Sequence, residues 1–198
     1  MKNSPPRLLL AFVVLCIATQ AKSIPQDETE KENCRIVTGA DLNDASAPHF
    51  EFYPVKDTRS PRAPRLDLSS NRIARQYRTV LRGEISEGAN FAGHYRVAVW
   101  GCGSSCAMVA VVNLRTGKVM APRGIHAVSG VWSAADEFLP DTDSDSWGFR
   151  FKRTSRLLVI IGMPNQSDSR QGAFYFLLKN ETLVPIHTTI VKKTCGTR

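Results

Sequence analysis

Residues 91–106 read FAGHYRVAVWGCGSSC, and residues 107–114 continue AMVAVVNL. Along the first segment apolar side chains recur every second residue. Tyr95, Val97 and Val99 fall on one face of an extended chain, and His94, Arg96 and Ala98 fall on the other. The second segment is apolar on both faces, as in a strand covered on both sides. Strand-like flanks on either side of GCGSSC therefore predict a tight loop. Gly101 and Gly103 supply its unusual backbone angles, and Cys102 and Cys106 close it as a staple.

Working outward, the same signal repeats. Arg115-Thr116-Gly117-Lys118 turns the chain into a short strand from Val119. Trp147, Phe149 and Phe151 alternate with Gly148, Arg150 and Lys152, and Leu157 to Met163 is wholly apolar. Ala173 to Leu178 is a further strand. Asn180-Glu181 turns it into Thr182–Val191, where Val184, Ile186 and Ile190 are predicted to face inward. Pro185 cannot donate to a ladder, so this last strand belongs at an edge. The two blocks 94–122 and 156–187 both give strand, loop, strand, tight turn, strand. They predict a mainly β (α+β) fold, an antiparallel meander or sandwich or propeller-blade-like sheets, with one amphipathic helix packed on the core.

That helix is predicted in SSNRIARQYRTVLRG, residues 69–83, where Ile73, Tyr77, Val80 and Leu81 share a face. Ser70 would cap its start and Gly83 would end it. A strand from Tyr77 to Ile85 is the competing reading.

The N-terminus speaks to compartment. Lys2 and Arg7 precede an unbroken apolar run, Leu8 to Ala18, with Thr19 and Ala21 at the −3 and −1 positions of a cleavage site. Residues 1–21 therefore read as a cleaved export signal, too short to span a bilayer, and no later run is long enough for a membrane helix. Leu15 before Cys16 argues against a lipoprotein signal. Residues 22–48 follow as a polar N-terminal segment, and 49–198 as a single β-rich domain. In an exported chain, Cys34, Cys102, Cys106 and Cys195 read as disulfides. Three pairings are open, and the simplest joins Cys102 to Cys106 and Cys34 to Cys195.

Of 26 Lys and Arg, two leave with the signal, so 24 face 18 acidic residues, a net charge of +6. The excess gathers in 56–82, where Lys56, Arg59, Arg62, Arg65, Arg72, Arg75, Arg78 and Arg82 meet only Asp57 and Asp67. Such a segment suits an anionic envelope component (lipopolysaccharide or teichoic acid) or an acidic protein. It lacks the interleaved aromatics that nucleic acid would call for.

NFAGHYRVAVWGCGSSC followed by VVNLRTGKV resembles an uncharacterised family of exported bacterial proteins. These share an F-A-G-H-Y segment, a W-G-C-G-S/T-x-C segment and a D/N-x-x-T-G-K turn. The likeness covers roughly residues 77–125, about a quarter of the chain. It implies a periplasmic or secreted setting and a shared fold, and it implies no mechanism.

Candidate sites are modest. Cys102 and Cys106 lack the helix start that lowers a thiol pKa, so a structural role outweighs redox or metal chemistry. The glycine-rich loop, with Ser104 and Ser105, could form a nest of N–H donors for an anion, with His94, Arg96 and Trp100 alongside. His94 could instead serve an exported hydrolase, with Ser104 or Ser105 as nucleophile and Glu84 or Asp136 as orienter. No G-x-S-x-G or H-E-x-x-H motif supports it, and His49, His126 and His187 lack zinc spacing. Asp141, Asp143 and Asp145 copy the first half of a calcium loop. Ser146 stands where its glycine belongs and Lys152 where its glutamate belongs, leaving at most a loose site completed by Asp136 or Glu137. Nothing in these motifs calls for a cofactor. The reading is a disulfide-stapled binding module, with an enzyme centred on His94 and the Cys102–Cys106 loop as the alternative.

Overall fold

A computed structural model describes residues 39–59, 64–130, 147–167 and 170–191. Among these, eight strands form one open antiparallel network around a mainly β core. The strands are β1 (Tyr95–Gly103), β2 (Cys106–Asn113), β3 (Val119–Met120), β4 (Val128–Ser129), β5 (Phe149–Phe151), β6 (Leu157–Pro164), β7 (Gly172–Lys179) and β8 (Thr182–Ile190). Their order is β1-β2-β4-β6-β7-β8, with β3 beside β2 and β5 beside β6.

The period-two reading of the first hairpin holds residue by residue. Val97 opposes Val111 and Val99 opposes Val109, so the odd positions share a face. That face joins Phe149, Phe151, Leu158, Ile160, Phe174 and Phe176 from β5–β7 in one buried cluster. The even positions Ala98, Ala110 and Val112 lie against the helices. In β6 the odd residues Leu157, Val159 and Ile161 pack with Leu42, Phe50 and Tyr53, which precede the helices in the chain. Both central strands are thus covered on both faces, which is why neither shows a polar face in sequence. The buried Leu42 and Phe50 sit in two short 3-10 turns, Gly39–Leu42 and Phe50–Phe52.

The helical segment departs from the expected single helix. It forms α1 (Arg72–Gln76) and α2 (Arg78–Ser86), divided at Tyr77 (φ −109°, ψ 27°). Asn71, not Ser70, is the cap: its side-chain oxygen accepts from the Ala74 N–H at 2.9 Å. Ser70 accepts from the Val119 N–H instead, tying the segment to β3. Gly83 does not end the helix, because its backbone stays helical and Ile85 beyond it is buried. The break rotates the buried face onto Ala74, Leu81 and Ile85, leaving Val80 exposed.

The inward set expected for β8 is also corrected. β8 is an edge strand, as Pro185 requires, but Phe176 opposes Pro185 while Tyr175 opposes His187. Ile186 is an extra residue in the ladder, and such a bulge moves the following side chains to the other face. Leu183 is buried, whereas Val184, Ile186 and Ile190 are 38%, 37% and 48% exposed.

Candidate functional site

The FAGHY segment is a tight turn. The Phe91 N–H donates to the Tyr95 carbonyl at 3.0 Å, and the Tyr95 N–H donates back at 2.9 Å. The three residues between reverse the chain with Ala92 at φ 43° and Gly93 at φ 81°. A Cβ on Gly93 would lie 2.1 Å from the Asp57 carbonyl oxygen, so only glycine fits that approach. The turn also docks through the Gly93 N–H onto the Arg153 carbonyl at 2.7 Å. His94 emerges half-buried, its ring tilted on Tyr95 with centroids 4.4 Å apart.

A second turn meets it. The Leu114 N–H donates to the His94 carbonyl, and Asn113 organises the loop that follows. The Asn113 side-chain oxygen accepts from the Arg115 N–H at 2.8 Å, and its amide donates to Glu181 Oε1 at 2.6 Å. Glu181 comes from the β7–β8 turn, where Asn180 and Glu181 hold φ of 48° and 53°. Positive φ at both centres is the two-residue hairpin geometry that glycine and asparagine favour, so Glu181 is an unusual occupant. Lys118 Nζ donates to its other oxygen at 3.1 Å. The third contributor is the segment Pro54–Asp57, where Asp57 accepts from Arg59 and from Arg115 Nη2, the latter at 3.1 Å.

Together the three turns surround an open cleft of about 390 Å³. Val55, Tyr95 and Leu178 give it apolar surface, and Lys56, Arg156 and Lys179 give it charge. Both acids of the cleft, Asp57 and Glu181, are engaged by cations, whereas the side chains of Lys56, Arg156 and Lys179 have no partner among the described residues. The electrostatics agree. Hydrogen bonds from Lys118 and then Asn113 lower the Glu181 pKa. The Arg59 guanidinium holds Asp57 well below the usual carboxylate range. Burial first, then the charge of Arg115, lowers the His94 pKa below its ordinary value, so the ring is neutral at pH 7. Burial raises the Tyr95 pKa. Neither ring nitrogen of His94 has a hydrogen-bond partner among the described residues.

The other sequence candidates lie elsewhere. Cys102 and Cys106 are joined as a disulfide with Cα atoms 5.1 Å apart, closing a two-residue turn of Ser104 and Ser105. This tip is exposed from Gly101 through Ser105. It is the stapled loop the flanks predicted, but Gly101 does not take the left-handed angle expected of it: the positive φ values are at Gly103 (135°) and Ser105 (51°). His94 precedes the nine residues of β1, and the serines follow them. Some ten residues of strand, roughly 30 Å at about 3.3 Å each, separate them. The fold does not bring His94 to the Ser104 or Ser105 hydroxyl, or to the Gly101–Gly103 loop.

Arg96 faces the helix layer, where Nε and Nη2 donate to Glu84 Oε2 at 3.1 and 3.0 Å. Arg96 and Glu84 therefore fasten α2 to β1 and are not part of the His94 surroundings. Trp100 packs on Tyr77 in the same layer, with ring centroids 4.9 Å apart. Within the basic segment, Lys56 lines the cleft while Arg72, Arg75, Arg78 and Arg82 are exposed on the helices. Arg62, Cys34, Cys195, Asp136, Glu137, Asp141, Asp143 and Asp145 fall outside the described residues.

Arg156, Lys179 and Glu181 belong to no motif that marks a site in sequence. The one signal available was a glutamate at the second centre of a two-residue turn. Comparison with known proteins gave no matching family model, no matching curated protein and no matching solved structure.

Proposed function

We propose that this chain is an exported, disulfide-stapled binding module that takes a small anionic ligand in the cleft between its three turns. The observation that carries the reading is the charge count inside the cleft. Asp57 and Glu181 are already engaged by Arg59, Arg115 and Lys118, which leaves Lys56, Arg156 and Lys179 without counter-charges. A carboxylate or phosphate entering there gains charge-assisted hydrogen bonds without displacing an existing pair. Val55, Tyr95 and Leu178 offer contact to an apolar or sugar-like body. The signal-like residues 1–21 and the disulfide favour an exported setting, with the ligand drawn from the cell envelope or its surroundings.

Thermal unfolding in the presence of phosphate, citrate, glucuronate and glucose tests this. The anions should raise the melting temperature and glucose should not. Arg156→Gln combined with Lys179→Gln should abolish the shift. A shift of equal size in that variant would remove the cleft from consideration.

A second reading, an exported hydrolase, draws on one observation: His94 is neutral and unpartnered at the cleft, as a general base needs to be. Among the described residues the cleft lining holds no Ser, Thr or Cys, so in this reading water is the nucleophile. Loss of an ester- or phosphoester-cleaving activity in His94→Gln, with ligand affinity kept, would support it.

A further inference from the structure

A second concavity lies on the other side of the β1–β2 hairpin. It is a groove of about 590 Å³ between α1 and β2, walled by Ile73, Tyr77, Met108 and Ala121. Tyr77 is held in place from behind by the Trp100 ring, and Met108 is the cross-strand neighbour of Trp100. The indole N–H of Trp100 is buried without an acceptor among the described residues. The walls are therefore fixed by the helix layer and do not depend on the turns that build the cleft.

Arg72 places a positive charge at the groove's rim, where His126 also lies, and no lining side chain among the described residues is acidic. Arg75 and Arg78 on the same helices donate to the backbone carbonyls of Leu68 and Arg75, whereas the guanidinium of Arg72 has no partner among the described residues. An apolar trough with one uncommitted guanidinium at its lip complements a molecule with an apolar body and an anionic head. The volume is in the range that encloses a small ligand.

We propose that this groove is a second binding site, for a free single-chain anionic amphiphile such as a medium-chain carboxylate. Its chain lies against Ile73, Tyr77, Met108 and Ala121, and its head group pairs with Arg72. The site is independent of the cleft: it shares no residue with it.

Calorimetric titration of the full folded protein with decanoate, below its micellar concentration, tests the proposal beside decanol and decyltrimethylammonium. Decanoate should bind saturably. Decanol should bind at least about tenfold more weakly and the cation not at all. Arg72→Gln should bring decanoate down to the level of decanol. Ala121→Phe should fill the trough and abolish binding, with circular dichroism confirming that both variants fold. The cleft is itself proposed to take carboxylates, so the titrations of Arg72→Gln and Ala121→Phe are run in the Arg156→Gln, Lys179→Gln background. The remaining decanoate site there reads the groove alone, and failure of the cleft reading and failure of this one are told apart. The proposal is overturned if decanoate does not bind the folded wild type. It is also overturned if decanoate and decanol bind alike with or without Arg72, or if only anionic phospholipid vesicles bind and the monomer does not.

Discussion

The Asn113 side-chain amide donates to Glu181 Oε1 at 2.6 Å, joining two turns 68 residues apart in the chain. Asn113 also accepts from the Arg115 N–H, so one buried side chain shapes the β2–β3 turn and positions the cleft's carboxylate. The cleft is therefore a product of turn-to-turn contacts and not of a single motif. Removing this amide leaves a turn N–H without its acceptor and Glu181 with only Lys118. Asn113→Ala should cost about 1–3 kcal/mol in urea unfolding. Glu181→Gln should cost less, because its amide oxygen still accepts from Asn113. Equal losses in the two variants would place the main role of Asn113 elsewhere.

Gly93 carries two demands at once, a φ of 81° and an approach that would put a Cβ 2.1 Å from the Asp57 carbonyl oxygen. Gly93→Ala should therefore destabilise by at least about 2 kcal/mol and open the Asp57 side of the cleft. Gly83→Ala is the control. A Cβ there meets nothing within 4 Å, and alanine is the better helix former, so stability should hold or rise by a few tenths of a kcal/mol.

The histidine gives the fold a pH dependence of definite sign. Burial and Arg115 lower the folded pKa of His94, with Asp57 and Glu181 opposing. Between the folded and unfolded values the unfolded chain binds more protons, so stability rises with pH there. The contribution of His94 is fully present above the unfolded pKa, about 6.5, and is lost as pH falls through the lowered folded value. The melting temperature of the wild type should fall more steeply than that of His94→Gln between pH 7 and about pH 5. Parallel profiles would mean that His94 is solvated.

The staple and the cleft should be separable. Cys102 and Cys106 close a loop of a few residues, for which chain entropy gives about 2 kcal/mol. The double variant Cys102→Ser, Cys106→Ser should lose about that much stability and keep its affinity for an anion, since the cleft lies at the other end of β1. If ligand affinity collapsed with the disulfide, the loop would be coupled to the site.

Much of this fold is written in residues 91–114 and 157–178, because side-chain alternation and two-sided burial are local consequences of a strand. The failures are equally physical. Ile190 looks inward by period two, and the extra residue Ile186 breaks the count without leaving a glycine to mark it; Val184, ahead of the bulge, lies on the face opposite the buried Leu183. Ile73, Tyr77 and Val80 look like one helical face, and the break at Tyr77 rotates it. Arg96 looks like a ligand-binding cation in sequence, where its charge is visible but its partner Glu84 is not. The same blindness hid the cleft. Asp57, Arg115, Arg156 and Glu181 are ordinary surface residues until the turns meet.

Calorimetric titration of the folded protein with a hexose phosphate and with the uncharged hexose tests the anion cleft most directly. Saturable binding of the phosphate alone, weakened about tenfold or more in the Arg156→Gln, Lys179→Gln variant, is the expected result. Equal binding of the two sugars, or undiminished phosphate binding in a folded variant, would contradict it.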